Sequence, residues 1–217
     1  MELFTGAGCI APVFLKIHCT SKKAAGIESA CWIEIRLPKI RLPPNLRHLR
    51  MLKPHEIFAK MPQATASGLI QFLHENEKTL YKATVDSLAQ QRKLRPVFIE
   101  RKPRKDQHTW ILEQVIRKTN DALAAHLLQI WLVGANKQLL CDFLDGFGIT
   151  HDENGTVENL PDSPAKAEVA RVVETLLSKY DQSLIAIYLN AFQSIDGTGW
   201  EGVSELIAED PRLQLSA

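Results

Sequence analysis

The sequence predicts an all-α domain, a bundle or short array of about eight helices over residues 51–217, preceded by an atypical segment at 1–50. Three observations carry that prediction. Downstream of Met51, apolar residues recur at intervals of three and four, the spacing of one buried helix face. The breaks between those stretches hold residues that start or stop helices. The chain also has 217 residues, 45% of them hydrophobic and 24% charged, which is ordinary globular usage and enough length for a real core. Wholesale disorder, collagen-like repeats and disulfide scaffolds are excluded on that composition, and no apolar run approaches the length of a bilayer span. A net charge of +1 marks the whole chain as neither a nucleic-acid binder nor a membrane-surface protein.

The helices follow in order. Pro62 suits a first helical turn, and Ala66, Leu69, Ile70 and Leu73 then keep helical spacing. Asn76 is placed to cap the next helix, whose inner face is Leu80, Tyr81, Thr84, Val85 and Leu88. After a break with Pro96 and Pro103, Asp106 caps a helix bearing Trp110, Ile111, Val115 and Ile116. Asn120-Asp121 restarts the pattern as Ala124, Leu127, Leu128 and Trp131, with Gly134 expected to end it in a left-handed conformation. Leu139, Leu140, Phe143 and Leu144 form a short helix ended by Gly146. Ser163-Pro164 caps Val169 to Leu177, Asp181 caps Leu184 to Phe192, and a last helix holds Val203, Leu206 and Ile207 before Pro211. Trp110, Trp131 and Trp200 read as core anchors. Asn154-Gly155 signals a type I′ turn, suiting either a small β-hairpin near 149–158 or a tight loop. The break at 92–105 and this loop divide the domain into lobes of about 54–91 and 106–209.

Residues 1–50 carry eight basic and three acidic residues and three of the four cysteines, and end in a Pro-rich run. They lack helical periodicity, and Glu2 and Pro12 fit a secretory signal poorly. Cys31 to Leu37 alternates as one half-buried strand would. Two readings stand: Met51 is the biological start, or 1–50 is a disordered or extended arm. With a single cysteine after Met51, the chain is expected in the cytoplasm.

One stretch resembles a known family. His55–Ala89 reads Ile57 to Met61-Pro62, then Ala66 to Leu73, then Tyr81 to Leu88. It is similar to the helix–x-Pro–helix–helix modules of the cytoplasmic N-terminal domain of the magnesium transporter MgtE and of flagellar motor-switch proteins. The likeness covers about 35 residues, and further copies of the module do not follow. It implies an interaction fold that packs and docks without catalysis.

The most unusual segment is 92–105, with seven cations, Arg92, Lys93, Arg95, Arg101, Lys102, Arg104 and Lys105, against Glu100. Clustered cations bind phosphates through counterion release, and Phe98 can stack on a base. No helix-turn-helix or RNA-recognition signature accompanies them, and the surrounding body is acidic. An acidic protein partner fits equally. The bland alternative tucks Val97-Phe98-Ile99 into the core and leaves a solvated rim.

The other cluster is Cys141-Asp142-Phe143-Leu144-Asp145 with His151-Asp152-Glu153. Asp142 and Asp145 lie three apart and can share a helix face, with His151 as a third ligand or base. No calcium loop fits: Thr150 and Pro161 stand where acids belong in one window, and Ser194 and Glu201 are out of place in another. Cys141 between Leu140 and Phe143 reads as a small core residue, and His126 as a core or interface histidine. Paired Cys-x-x-Cys, P-loop, dinucleotide, metalloprotease and nucleophile-elbow motifs are absent from the sequence.

No catalytic residue, metal or cofactor is therefore assigned. The first reading is a non-enzymatic helical interaction or scaffold protein with a protein partner and no membrane insertion. The alternative is a nucleic-acid-associated accessory protein using the seven cations of 92–105. A composite acidic enzyme site at Asp142, Asp145 and His151 comes third.

Overall fold

Stripes of Leu, Ile, Val and Phe at helical spacing can leave water only by facing one another, and this chain buries them as an all-α array. The structure is a computed structural model, and it describes residues 51–153, 155–157, 161–195 and 199–215. The expectations for 1–50, the Met51 start, the arm and the Cys31–Leu37 strand, lie outside the described residues. Ten α-helices stand among those described: α1 Pro54–Lys60, α2 Gln63–Asn76, α3 Lys78–Gln91, α4 Val97–Glu100, α5 Arg104–Val115, α6 Asp121–Ala135, α7 Lys137–Gly146, α8 Lys166–Leu177, α9 Gln182–Ile195 and α10 Glu201–Glu209. Single 3-10 turns occupy Lys118–Asn120 and Pro211–Leu213.

Periodicity did not reveal α1 or the single turn α4, although the resemblance over 55–89 implied a helix ahead of Pro62. Both are shorter than the two turns that periodicity needs to become visible. α1 starts on Pro54, with the Lys53 N–H donating to Glu56 Oε2 at 2.9 Å, and buries Ile57 and Phe58 against α6 and α9.

α9 is the central rod. Every side chain from Ile185 to Gln193 is buried, so water meets none of its faces over that stretch. It packs on α1, α6, α8, α10 and the Pro211–Leu213 turn. Its buried amides are used as staples: Asn190 Nδ2 donates to the Leu213 carbonyl at 3.1 Å, and Gln193 Nε2 to the Trp200 carbonyl at 2.6 Å. Around it Phe143, Phe147, Tyr188, Phe192 and Trp200 form a ring cluster with centroids 4.9–5.7 Å apart. On the other side α2 packs on α3, α5 and α6. Buried residues of all these helices belong to one continuous core.

Local expectations needed four corrections. Asn76 ends α2 instead of capping α3, its Nδ2 donating to the Phe72 carbonyl at 3.1 Å. α5 starts at Arg104 behind Pro103, so Asp106 lies in its first turn. Ser163 does not cap α8, which starts three residues later; its Oγ accepts from the Gly202 N–H at 3.4 Å. Gly134 lies inside α6, where an added Cβ would come within 2.7 Å of the Phe72 ring, so close helix approach explains its lack of a side chain. Asp181 does cap α9, accepting from the Ser183 N–H at 2.8 Å. In place of a hairpin near 149–158, the described residues 149–153 and 155–157 hold no strand: Asp152 Oδ1 accepts from the Thr156 N–H at 2.7 Å, and Gly155 sits at φ 73°.

Candidate interaction surface

The 92–105 segment begins at the end of α3, where the backbone must turn. The Lys93 N–H bonds to the Gln90 carbonyl and the Leu94 N–H to the Ala89 carbonyl, both at 2.9 Å. That is the paired closure of a Schellman motif, whose turning residue is usually glycine. Here it is Lys93 at φ 55°, and no other described non-glycine residue has a positive φ. A left-handed conformation costs a side-chain-bearing residue about 1–2 kcal/mol. The chain thus keeps a cation where stability favours glycine.

α4 follows as one turn. Of its apolar trio only Ile99 reaches the core, at 2% exposure, while Val97 and Phe98 remain 39% and 57% exposed. The expectation that Val97-Phe98-Ile99 tucks in together therefore holds for Ile99 alone. At about 100° per residue, Val97 and Arg101 point away from the core when Ile99 points into it, and Phe98 flanks them. Leu94, just upstream, is 42% exposed.

The projecting segment is tied down from below. Gln107 Nε2 donates to the carbonyls of Glu100 at 3.0 Å and Lys102 at 2.7 Å. Gln107 Oε1 accepts from the Tyr81 hydroxyl at 3.1 Å. Arg92 Nε donates to Gln114 Oε1 at 2.7 Å. These bonds hold 92–105 as a shaped ridge on α3 and α5.

All seven cations are exposed. Arg92 bonds Gln114 and Arg104 bonds His74, whereas the side chains of Lys93, Arg95, Arg101, Lys102 and Lys105 have neither a hydrogen bond nor an ion pair within the described residues. The rest of 51–217 carries eleven basic and twenty-one acidic residues. The ridge is thus a positive, partly apolar projection on a negative body.

Beside it lies a group that sequence reasoning did not find: His74 of α2, Tyr81 of α3, and Arg104 and His108 of α5. His74 and Tyr81 meet edge-on with centroids 4.9 Å apart, and His108 stands 6.1 Å from each. Burial, then the Arg104 charge, lowers the His74 pKa; burial, then the neighbouring His74, lowers that of His108. Both are neutral at neutral pH, and a neutral His74 can accept from the Arg104 guanidinium. Three helices bring these residues together, so no linear spacing announces them.

The acidic cluster separates. Asp142 accepts from Gln138 at 2.9 Å and from Lys179 and the Tyr180 hydroxyl at 3.1 Å each. Those bonds, led by Gln138, hold its carboxyl below the usual range against a burial effect, while burial and the bond to Asp142 push Tyr180 up to about 12. Asp145 pairs with His151 Nε2 at 3.2 Å, and the Asp152 carbonyl with His151 Nδ1 at 2.7 Å. The Asp152 carbonyl first, and Asp145 with it, raise the His151 pKa. Cys141, expected in the core, is only partly buried at its edge, and burial raises its thiol pKa, which disfavours the reactive thiolate. Among the described residues no three His, Cys, Asp or Glu side chains converge to hold a metal ion. His126, at an exposed position on α6, resolves as a surface residue.

Comparisons with protein-family models, curated proteins and solved structures give no significant match.

Proposed function

We propose that the protein is a non-enzymatic helical docking protein and that the 92–105 ridge is its principal contact surface. One observation supports the reading: Leu94, Val97 and Phe98 stay exposed beside five cations that have no side-chain partner among the described residues, on a segment hydrogen-bonded from beneath. A solvated linker needs neither the exposed Phe nor the hydrogen-bonded shape, whereas a docking surface uses both, because preorganisation lowers the entropy lost on binding. The likeness of 55–89 to helical docking modules supports the same class. A cytoplasmic setting belongs to this reading, supported by the single cysteine downstream of Met51. No helix of the described residues is long and apolar enough to cross a membrane.

The test is affinity capture with the 217-residue chain and with a variant combining Arg95→Glu, Arg101→Glu, Lys102→Glu and Lys105→Glu. A partner retained by the first and lost by the second supports the reading; identical retention by both overturns it.

A second reading, a nucleic-acid-associated accessory protein, is favoured by Phe98 standing among cations as a stacking platform. A mobility-shift assay at two salt concentrations tests it, with loss on charge reversal as the expected result.

A further inference from the structure

We infer that the 92–105 ridge receives an acidic peptide segment carrying bulky apolar side chains, an assignment that rests on the docking reading above.

The charge on the ridge asks for an anion: Lys93, Arg95, Arg101, Lys102 and Lys105 are exposed and unpaired within the described residues, with Glu100 as the one local acid. The chain's own N-terminal segment is a poor occupant, because 1–50 carries eight basic residues against three acidic ones and would be repelled. The apolar part selects among anions. Nucleic acid gains from aromatic platforms on which successive bases stack. This ridge offers one exposed ring, Phe98, with the aliphatic Leu94 and Val97 beside it. Aliphatic side chains gain from burying other apolar side chains, which a peptide supplies and a phosphodiester backbone does not. The outward carboxylate of Glu100 opposes phosphates at close quarters yet can accept from a peptide N–H. Exposed apolar side chains bordered by polar ones match the usual anatomy of a protein-binding surface, an apolar core with a polar rim.

The ridge is built to present that pattern. Lys93 keeps its charge in a left-handed conformation, and Gln107 fixes the carbonyls of Glu100 and Lys102 under the outward-facing Arg101.

The experiment pans a display library of random 12-residue peptides against the 217-residue chain. Enriched peptides are then measured by fluorescence anisotropy, alongside a 12-nucleotide oligothymidylate and phosphatidylserine vesicles. The inference expects enriched sequences with several Asp or Glu around Leu, Phe or Trp. Their affinity should fall about tenfold on Phe98→Ala and by a similar factor on Arg101→Glu with Lys102→Glu, and should weaken with added salt. Phe98→Tyr should retain most of the affinity, which separates loss of the anchor from loss of fold, and thermal unfolding of each variant checks the fold directly.

Enriched peptides without acidic bias, or acidic peptides indifferent to Phe98 and Arg101, overturn the inference. Tighter Phe98-dependent binding of the oligothymidylate or of the vesicles does so as well. A Phe98-dependent dimer in sedimentation would make a second copy's acidic face the occupant and overturn it too. If the peptides fail while affinity capture still yields a partner lost on charge reversal of the ridge, only the peptide assignment falls. If capture is also indifferent to the ridge, the docking reading falls with it.

Discussion

The 92–105 ridge and the α7–α9 region both concentrate charge and aromatic side chains, and the fold treats them in opposite ways. In α7–α9 Asp142 is bonded by three neighbours, Asp145 meets His151, and Phe143 and Phe192 are sealed among other rings. On the ridge five cations have no side-chain partner in the described residues and Phe98 faces water. A charged or aromatic cluster in a sequence therefore says little until the structure shows whether its members satisfy one another. Where they do, the cluster is architecture. Where they do not, its interactions are left for something else to complete.

The sharpest way to break that comparison is to truncate one ring on each side. Phe143→Ala removes a fully buried ring from the five-membered cluster and should cost about 3–5 kcal/mol of stability, measured as a shift in urea midpoint. Phe98→Ala should change stability by no more than about 0.5 kcal/mol. A large loss from Phe98→Ala would mean that the ridge ring belongs to the core after all.

The two carboxylates come next. Asp142→Ala leaves the Tyr180 hydroxyl and Lys179 without their acceptor and should cost about 1–2 kcal/mol. Asp145→Ala, at an exposed pair with His151, should stay within about 0.5 kcal/mol. Equal losses would restore the idea of a single acidic site.

Lys93→Gly relieves the left-handed strain and should raise stability by about 1 kcal/mol, read as a higher thermal midpoint. The same variant should weaken binding of an acidic peptide, since it removes one cation. A stabilising change that costs affinity is the expected mark of a position kept for its contact.

The smallest effect is in pH. The depressed values of His74 and His108 mean that the unfolded chain binds their protons first as pH falls below 6.5. Their contribution to stability is complete above that value and declines as pH drops. Glu75 opposes this shift, and Arg104 and Lys78 reinforce it for His74. His151, raised by Asp152 and Asp145, acts with the opposite sign and adds stability on acidification. Urea midpoints measured between about pH 5 and 8 should flatten in His74→Gln with His108→Gln and steepen in His151→Gln. No change in either slope would refute the assignment.

Much of the fold was legible because burial imposes a period. Leu69, Ile70 and Leu73, or Val169, Val172, Val173 and Leu176, sit at helical spacing and are all buried. Helix ends were less legible. Asn76, Ser163 and Gly134 are residue types that suit several jobs, and which job each does depends on Phe72, Gly202 and the approach of α2 to α6. Of the candidate surface, the cations were plain in the sequence, but the exposure of Phe98 and the support from Gln107 were not. Ile99 and Phe98 are adjacent apolar residues, and no local rule tells which one the core takes.

The amino-acid order by itself determined the helical class, the main apolar faces and the position of a cationic break, since these follow from periodicity, proline placement and charge along the chain. Only the tertiary structure decided that α9 is the central rod, that Asp142 and Asp145 part company, and that His74, Tyr81, Arg104 and His108 meet. The physical reason is that burial and hydrogen bonding depend on which surfaces meet in space. The bonds of Arg104 to His74 and of Tyr180 to Asp142 join residues 30 and 38 positions apart, beyond the reach of any local pattern.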